Sequence, residues 1–114
     1  MQSTRQNKIC RLIQQDMGDI FLRETKSIFG PSLITVTHVR ISPDLSIARI
    51  HVSLMMIGGG SKEELLQLIR DNTPDLRRRL GLREGKQLRI IPQLEFYLDD
   101  SLDYIENIER LLKQ

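Results

Sequence analysis

Residues 9–21 place their apolar side chains at the spacing of an amphipathic α-helix. The apolar positions form one stripe along such a helix: Ile9, Leu12, Ile13, Met17, Ile20 and Phe21. The period predicts a helix that continues to about Ser27 and ends before Gly30-Pro31, because proline and the residue before it both resist helical continuation. Residues 1–8 are polar, and we expect them to be frayed.

A turn at Ser42-Pro43-Asp44-Leu45 joins two stretches rich in β-branched residues. Pro43 has the fixed φ that the second position of a tight turn favours, and Asp44 is a common turn residue. The pattern therefore predicts a β-hairpin over Leu33–Leu54.

The two strands of this hairpin differ in their alternation. The second strand alternates cleanly, and its apolar face holds Ala48, Ile50, Val52 and Leu54. In the first strand, Leu33–Ile41, the apolar phase changes between Val36 and Val39, which predicts a β-bulge near Thr37-His38. One face of the sheet is thus predicted to be buried and the other open to solvent.

Two helical patterns follow the hairpin. Ser61 and Glu64 have the spacing of a capping box, and the first helix has apolar positions at Leu65, Leu66, Leu68 and Ile69. Pro74 suits the first turn of a helix better than its interior, so Asn72-Thr73-Pro74 predicts a kink. The second helix is predicted to run from Pro74 to about Leu82.

The end of that helix, a third strand and a last helix complete the pattern. Gly81 and Gly85 are expected to end the second helix. Residues Leu88–Leu98 alternate and predict a strand, in which Pro92 marks an edge or a bulge because proline cannot donate to the ladder. Asp99-Asp100-Ser101 then cap a final helix.

The predicted order, α-β-β-α-kink-α-β-α, gives an α+β two-layer sandwich with a three-stranded sheet and helices on one face. The length of 114 residues fits one domain, 1–114, with residues 1–4 and 113–114 as its frayed ends. The single cysteine, Cys10, excludes an internal disulfide and fits a reducing compartment. No apolar run approaches the length of a membrane span, so we expect a cytoplasmic protein without membrane contact.

Charge is unevenly distributed along the chain, although the formal net charge is only +2. Residues 70–89 hold seven Lys/Arg against three acids, whereas residues 92–114 hold two against six. Guanidinium groups bind phosphate in a bidentate fork, so the basic segment predicts a polyanion partner. The predicted phosphate-binding residues of this segment are Arg77, Arg78, Arg79, Arg70, Arg83, Lys86 and Arg89.

Arg40 and Arg49 lie on the predicted strands and extend this candidate surface. The alternative for the helix is a solvated face balanced by Asp75 and Glu84. For the strand arginines it is ordinary cross-strand pairing with Glu95. A second patch at Arg5, Lys8 and Arg11 is expected to be only solvated.

The sequence shows no constellation for catalysis or for a metal. His38 and His51 are the only histidines, and no cysteine or carboxylate pair joins them at ligand spacing. Gly58-Gly59-Gly60 lacks the Lys-Ser/Thr of a phosphate-binding loop and is interpreted as a linker. Aromatic residues make up 4% of the chain, which counts against a site built on base stacking. We predict no enzyme activity, no metal and no cofactor.

Two motifs resemble the ribosome-binding factor A family of bacterial small-subunit maturation proteins, whose fold is KH-like of type II. The first is Val39-Arg40-Ile41-Ser42-Pro43-Asp44-Leu45 in the hairpin, and the second is Ile91-Pro92-Gln93-Leu94-Glu95-Phe96 running into Asp99-Asp100-Ser101-Leu102. Leu76 to Gly81, LRRRLG, lies between them, where the family has a helix after its kink. The resemblance covers essentially the whole chain.

The resemblance implies a non-enzymatic, monomeric assembly factor that binds the immature 30S ribosomal subunit and assists 16S rRNA maturation, including 5′-end processing. It also implies a link to growth in the cold and release by a ribosome-associated GTPase or other factors. The basic residues would contact RNA phosphates and recognise RNA shape. A KH-like module for another structured RNA remains the alternative, and an enzyme would require a pocket with convergent titratable groups.

Overall fold

The computed structural model describes residues 4–88 and 90–99 of the chain. The elements follow in the order helix α1 (Thr4–Asp19), a π-helical segment (Ile20–Glu24), α2 (Lys26–Phe29), strands β1 (Leu33–Ile41) and β2 (Ile47–Met55), α3 (Lys62–Asp71), α4 (Thr73–Glu84) and β3 (Gln93–Leu98). The helix predicted after Asp99 and the predicted frayed end at residues 113–114 lie outside the described residues.

The three strands form one sheet in the order β1-β2-β3. β1 pairs antiparallel with β2, and β2 pairs parallel with β3, so β3 is an edge strand. The register of β1 shifts between Val36 and His38, which confirms the predicted bulge at Thr37. Parallel pairing of β2 and β3 requires the chain to cross over the sheet, and α3 and α4 make this connection.

One face of the sheet carries the core, as the alternation of β2 predicts. The fully buried strand residues Ala48, Ile50 and Val52 pack against apolar residues of the helices. The buried helix residues are Ile9, Cys10, Ile13, Met17, Ile20, Phe21, Phe29, Leu65, Leu66, Ile69, Leu76 and Leu80. Cys10 is therefore a small buried residue of the core.

The hairpin turn is held by its own polar side chains. The backbone N–H of Leu45 donates to the Ser42 carbonyl at 2.8 Å, and Leu45 takes a φ of 64°. The Asp44 carboxylate accepts from both hydroxyl groups, at 2.7 Å each from Ser42 and Ser46. These bonds offset the strain of a left-handed leucine and fix the position of its side chain.

The first helix differs from its prediction at both ends. It begins at Thr4, because the Gln6 side chain donates to the Ile41 carbonyl at 3.3 Å and anchors a polar first turn that was expected to be frayed. It does not continue regularly to Ser27. The buried Thr25 hydroxyl reaches the carbonyls of Ile20 and Phe21, at 3.3 and 3.5 Å, where the chain widens into the π-helical segment.

The predicted bounds of α4 and β3 are also corrected. Helix α4 passes through Gly81 to Glu84, because Leu80 and Glu84 are both fully buried and hold its last turn against the core. Strand β3 begins at Gln93 instead of Leu88, and Ile90, which lies within the predicted strand, is 75% exposed. Pro92 has no N–H for the ladder, and the first ladder bond here runs from the Gln93 N–H to the Ser46 carbonyl at 2.8 Å.

Glu84 is a fully buried carboxyl group on the inner face of α4. Neither of its oxygens finds a hydrogen-bond partner among the described residues. Burial and, to a lesser extent, the nearby Asp16 carboxyl on α1 together raise the pKa of Glu84 to about 8. The native state therefore binds this proton more tightly than the unfolded chain, so the contribution of Glu84 to stability falls as pH rises from about 4.5 to about 8.

We predict that Glu84→Gln raises the free energy of unfolding at pH 8 by about 1–3 kcal/mol, because it removes a charge that the fold must bury. It should also flatten the fall in stability between pH 5 and pH 8, roughly the window between the two pKa values. Urea unfolding at several pH values measures both effects. Glu63→Gln, on the exposed face of α3, is the control, and equal pH profiles for the two variants would contradict the prediction.

Candidate nucleic-acid interface

A groove of about 570 Å³ opens between the start of α4 and the edge strand β3. We call it the kink groove; its lining residues are Thr73, Pro74, Arg77, Arg78, Gly81, Ile91, Gln93 and Leu94. The kink that forms one wall appears where it was predicted, since α3 ends at Asp71 and α4 begins at Thr73 with Pro74 in its first turn.

Side chains close the end of α3 at this kink. The Asn72 amide donates to the Leu68 carbonyl at 2.8 Å, and the Thr73 hydroxyl donates to the Ile69 carbonyl at 3.2 Å. Proline supplies the break, because its ring cannot continue a helix. The Ser61 hydroxyl accepts from the Glu64 N–H at 3.0 Å and confirms the predicted cap at the other end of α3.

Two of the three consecutive arginines, Arg77 and Arg78, line the kink groove, and their contacts differ. The Arg77 guanidinium donates to the Ile91 carbonyl at 2.7 Å and to the Pro92 carbonyl at 3.0 Å. Arg78 pairs with Asp75 at 2.8 Å but remains 58% exposed. Arg77 thus fixes the far wall of the groove, while Arg78 offers its charge to solvent at the rim.

Arg79 and Arg83 point away from the kink groove, into a cluster of acids. Arg79 contacts Asp75 at 2.7 Å and Glu24 at 3.3 Å, and Arg83 contacts Asp19 at 2.7 Å and Glu24 at 2.6 Å. The hydrogen bond from Arg83 lowers the pKa of Asp19, and the hydrogen bond from Arg79 lowers the pKa of Asp75. Consecutive helical residues point about 100° apart, which is why one run of arginines divides between two surfaces.

The remaining predicted residues of the basic segment lie apart from one another. Arg70 on α3 donates through Nε and Nη2 to the Phe96 carbonyl, at 3.1 and 2.9 Å, on the edge strand. Lys86 follows α4 and is exposed. Arg89 lies outside the described residues. The structure therefore brings Arg77 and Arg78 together at one groove, with Arg70 bonded to the strand that borders it.

Arg40 and Arg49 lie on paired positions of the open face of the sheet, which the alternation of β2 predicts for Arg49. Arg40 donates to the Nε2 atom of His38 at 2.9 Å, and Arg49 pairs with Glu95 across β2 and β3 at 3.4 Å. The second contact is the cross-strand pair that the sequence offered as an alternative. Both side chains are exposed at the surface.

A row of rings on this face was missed in the sequence. His38, His51 and Tyr97 occupy paired positions on the three strands, with ring centroids 5.8 and 5.5 Å apart. Partial burial and the neighbouring His38 lower the pKa of His51, which favours the neutral form of this ring. The low aromatic content of the sequence argued against a stacking site. The pairing register of the three strands, which places both histidines and the tyrosine side by side, would have indicated this row of rings.

The described part of the chain shows neither a metal-binding cluster nor a membrane-spanning helix. No group of three or more His, Cys, Asp or Glu residues that could hold a metal ion occurs at residues 4–88 and 90–99. None of the helices within those ranges has the length and hydropathy needed to cross a membrane.

Comparison with known proteins decides the family. The family model for ribosome-binding factor A matches residues 5–112. The chain belongs to the ribosome-binding factor A family. A family member from Cytophaga hutchinsonii is 45% identical over 114 residues, covering 100% of this chain and 84% of that protein. Another, from Christiangramia forsetii, is 39% identical over 113 residues, covering 98% and 85%.

Solved structures of the family share the fold. The crystal structure of ribosome-binding factor A from Thermus thermophilus has a TM-score of 0.64 at 23% identity, covering 82% of this chain and 94% of that one. A Thermus thermophilus homology model fitted into the cryo-EM map of a 30S complex has a TM-score of 0.61 at 20% identity, covering 80% and 91%. These similarities confirm the α+β, KH-like fold predicted from the sequence.

We predict that Arg83→Gln lowers the melting temperature by a few degrees, because it leaves Asp19 and Glu24 without their shared cation. The difference from the unaltered protein should shrink at high salt, where ion pairs are screened. Differential scanning calorimetry at two salt concentrations measures it. Lys86→Gln removes a charge that lies outside this cluster and should leave the melting temperature unchanged; equal effects would contradict a structural task for Arg83.

Proposed function

We propose that this chain is a non-enzymatic maturation factor that binds the immature 30S ribosomal subunit. Membership of the ribosome-binding factor A family over residues 5–112 carries this proposal. A neighbour of the same fold was fitted into the map of a 30S complex, which supports small-subunit binding by this architecture. Assistance to 16S rRNA maturation, including 5′-end processing, and release by a ribosome-associated GTPase form the finer part of the proposal.

Phosphate contacts from the kink groove are the proposed means of binding. Arg78 is exposed at its rim, and Arg77 keeps the groove open by holding the carbonyls of Ile91 and Pro92. Strand β3, an edge of the described sheet, borders the same groove and contributes Gln93 to its lining. An RNA backbone laid along this edge would meet a guanidinium group and polar strand atoms together, which suits recognition of shape.

The other predicted residues differ in how freely they could contact RNA. Lys86, Arg40 and Arg49 are exposed and could add phosphate contacts, with the ring row beside the strand arginines offering flat surfaces to unpaired bases. Arg70, Arg79 and Arg83 already bind a carbonyl or carboxylates, so contact with RNA would exchange these internal partners for phosphates. Arg89 remains a predicted contact outside the described residues.

We predict that Arg78→Glu together with Lys86→Glu weakens binding to immature 30S subunits by roughly tenfold or more, with a shallower dependence of affinity on salt, because each lost phosphate contact removes close to one released counterion. Filter binding at several salt concentrations measures both. Lys26→Glu, on α2 and outside the kink groove, is the matched control. Unchanged affinity in the double variant would contradict the proposed contacts.

Sedimentation and rRNA analysis test the function itself. In a sucrose gradient the chain should travel with free small subunits and not with translating ribosomes, and cells that lack it should accumulate 16S rRNA with an unprocessed 5′ end. Normal rRNA together with an absence of co-sedimentation would favour the alternative of a KH-like module for another structured RNA.

A further inference from the structure

A second and larger groove, of about 890 Å³, lies between α1 and the hairpin turn. We call it the α1 groove. Its apolar lining includes Leu12 from α1, Leu45 from the turn, and Leu88 and Ile90 from the segment before β3. Ile90 is 75% exposed, and a large apolar side chain this exposed in an apolar groove lining marks a surface that a partner could cover.

Three bases of α1 line the same groove. Arg5, Lys8 and Arg11 are spaced three residues apart, so they lie on one side of the helix, and all three are exposed. None of their side chains forms a hydrogen bond or an ion pair with another residue of the described part of the chain. The groove has one acid, Asp44, whose carboxylate is already bonded to the hydroxyls of Ser42 and Ser46.

This charge pattern is the reverse of that on α4. There the acids Asp75, Glu24 and Asp19 neutralise Arg79 and Arg83 within the fold. On α1 the bases have no such partners among the described residues, so their charge is available to a ligand. The sequence predicted that the patch of Arg5, Lys8 and Arg11 is only solvated. In the described structure this patch holds more unpaired positive charge than α4 does.

We propose that the α1 groove is a second RNA-binding site, which takes an unpaired nucleotide of rRNA with its neighbouring phosphates. The proposal rests on the proposed function. Arg5, Lys8 and Arg11 would bind the phosphates, and the apolar lining at Leu45 and Ile90 would cover a face of the base. Three cations without counter-charges on the described surface favour RNA over an apolar protein helix as the occupant.

The two grooves adjoin along a short segment of chain. Ile90 and Pro92 line the α1 groove, whereas Ile91 and Gln93 line the kink groove. One RNA strand could therefore pass from Arg78 over this segment to Lys8 without leaving the surface. The two sites would act on one strand, so the loss of either should weaken binding of the same RNA.

Nuclear magnetic resonance of the isotopically labelled chain with single-stranded oligouridylate tests this site. We expect the amide signals of Lys8, Leu45 and Ile90 to shift on titration. Lys8→Glu should weaken the interaction several-fold and reduce the salt slope by about 0.7, the value for one phosphate contact to a single strand. Lys26→Glu, a matched charge reversal away from the groove, should have a smaller effect.

A second matched pair tests the apolar lining. Ile90→Gln should weaken oligouridylate binding, whereas Leu82→Gln should not. The two residues are 75% and 76% exposed, but Leu82 on α4 lies outside the α1 groove. The absence of shifts at the groove, or equal effects within both pairs of variants, would overturn the proposal.

Subunit binding separates this inference from the proposed function. If the unaltered chain fails to bind immature 30S subunits while oligouridylate still shifts the groove, the proposed function fails and the RNA site stands. If Lys8→Glu and Ile90→Gln reduce subunit binding but oligouridylate leaves the groove signals unchanged, a ribosomal protein occupies the groove and the RNA assignment is overturned.

Discussion

The guanidinium group of Arg77 joins α4 to the chain that enters the sheet. Its bonds to the carbonyls of Ile91 and Pro92 hold the segment before β3 against α4. Strand β3 begins at Gln93, after Pro92, and the preceding segment crosses the surface between the two grooves. A side chain predicted to bind phosphate therefore shapes both candidate RNA-binding surfaces through contacts with the backbone.

The same helix shows how one basic run can serve folding and binding together. Arg79 and Arg83 bind the acids that α1 and the π-helical segment present, and these contacts connect the first helix to the last turns of α4. Glu84 lies in the same turn as Arg83 but is buried. Burial raises the pKa of its carboxyl group to about 8, so the protonated form is favoured. Arg77 and Arg78 both line the kink groove, but the guanidinium of Arg77 is bonded to two backbone carbonyls, whereas Arg78 keeps 58% of its side chain exposed at the rim.

The kink between α3 and α4 is formed by side-chain capping and a proline, without a glycine. Asn72 and Thr73 each bond a carbonyl of the last turn of α3, and Pro74 begins the new helix. Because these polar groups are occupied, the groove at the kink is lined by fixed side chains instead of a free glycine loop. The positive charge of this groove comes from Arg77 and Arg78. The three bases of α1 present more unpaired positive charge on the described surface.

Local patterns in the sequence determined the elements and the sheet. The alternation of β2, the phase change at Thr37, the cap at Ser61 and the break at Pro74 each depend on neighbours within a few residues, and the structure confirms them. Together with the two motifs they were enough to identify the family. The buried phase of a strand and a helix start that is marked by a cap or a proline are local properties, so they can be inferred from the sequence alone.

Which charges are free was decided only by tertiary structure. Arg83 and Lys86 look alike in the sequence, but Arg83 meets Asp19 and Glu24, which are remote along the chain, and Lys86 does not. Likewise, no local pattern shows that Ile90 leaves the strand for the surface or that it meets Leu45 at a groove beneath α1. Ion pairing and burial depend on which distant residues the fold brings together, and hydrophobic periodicity does not contain that information.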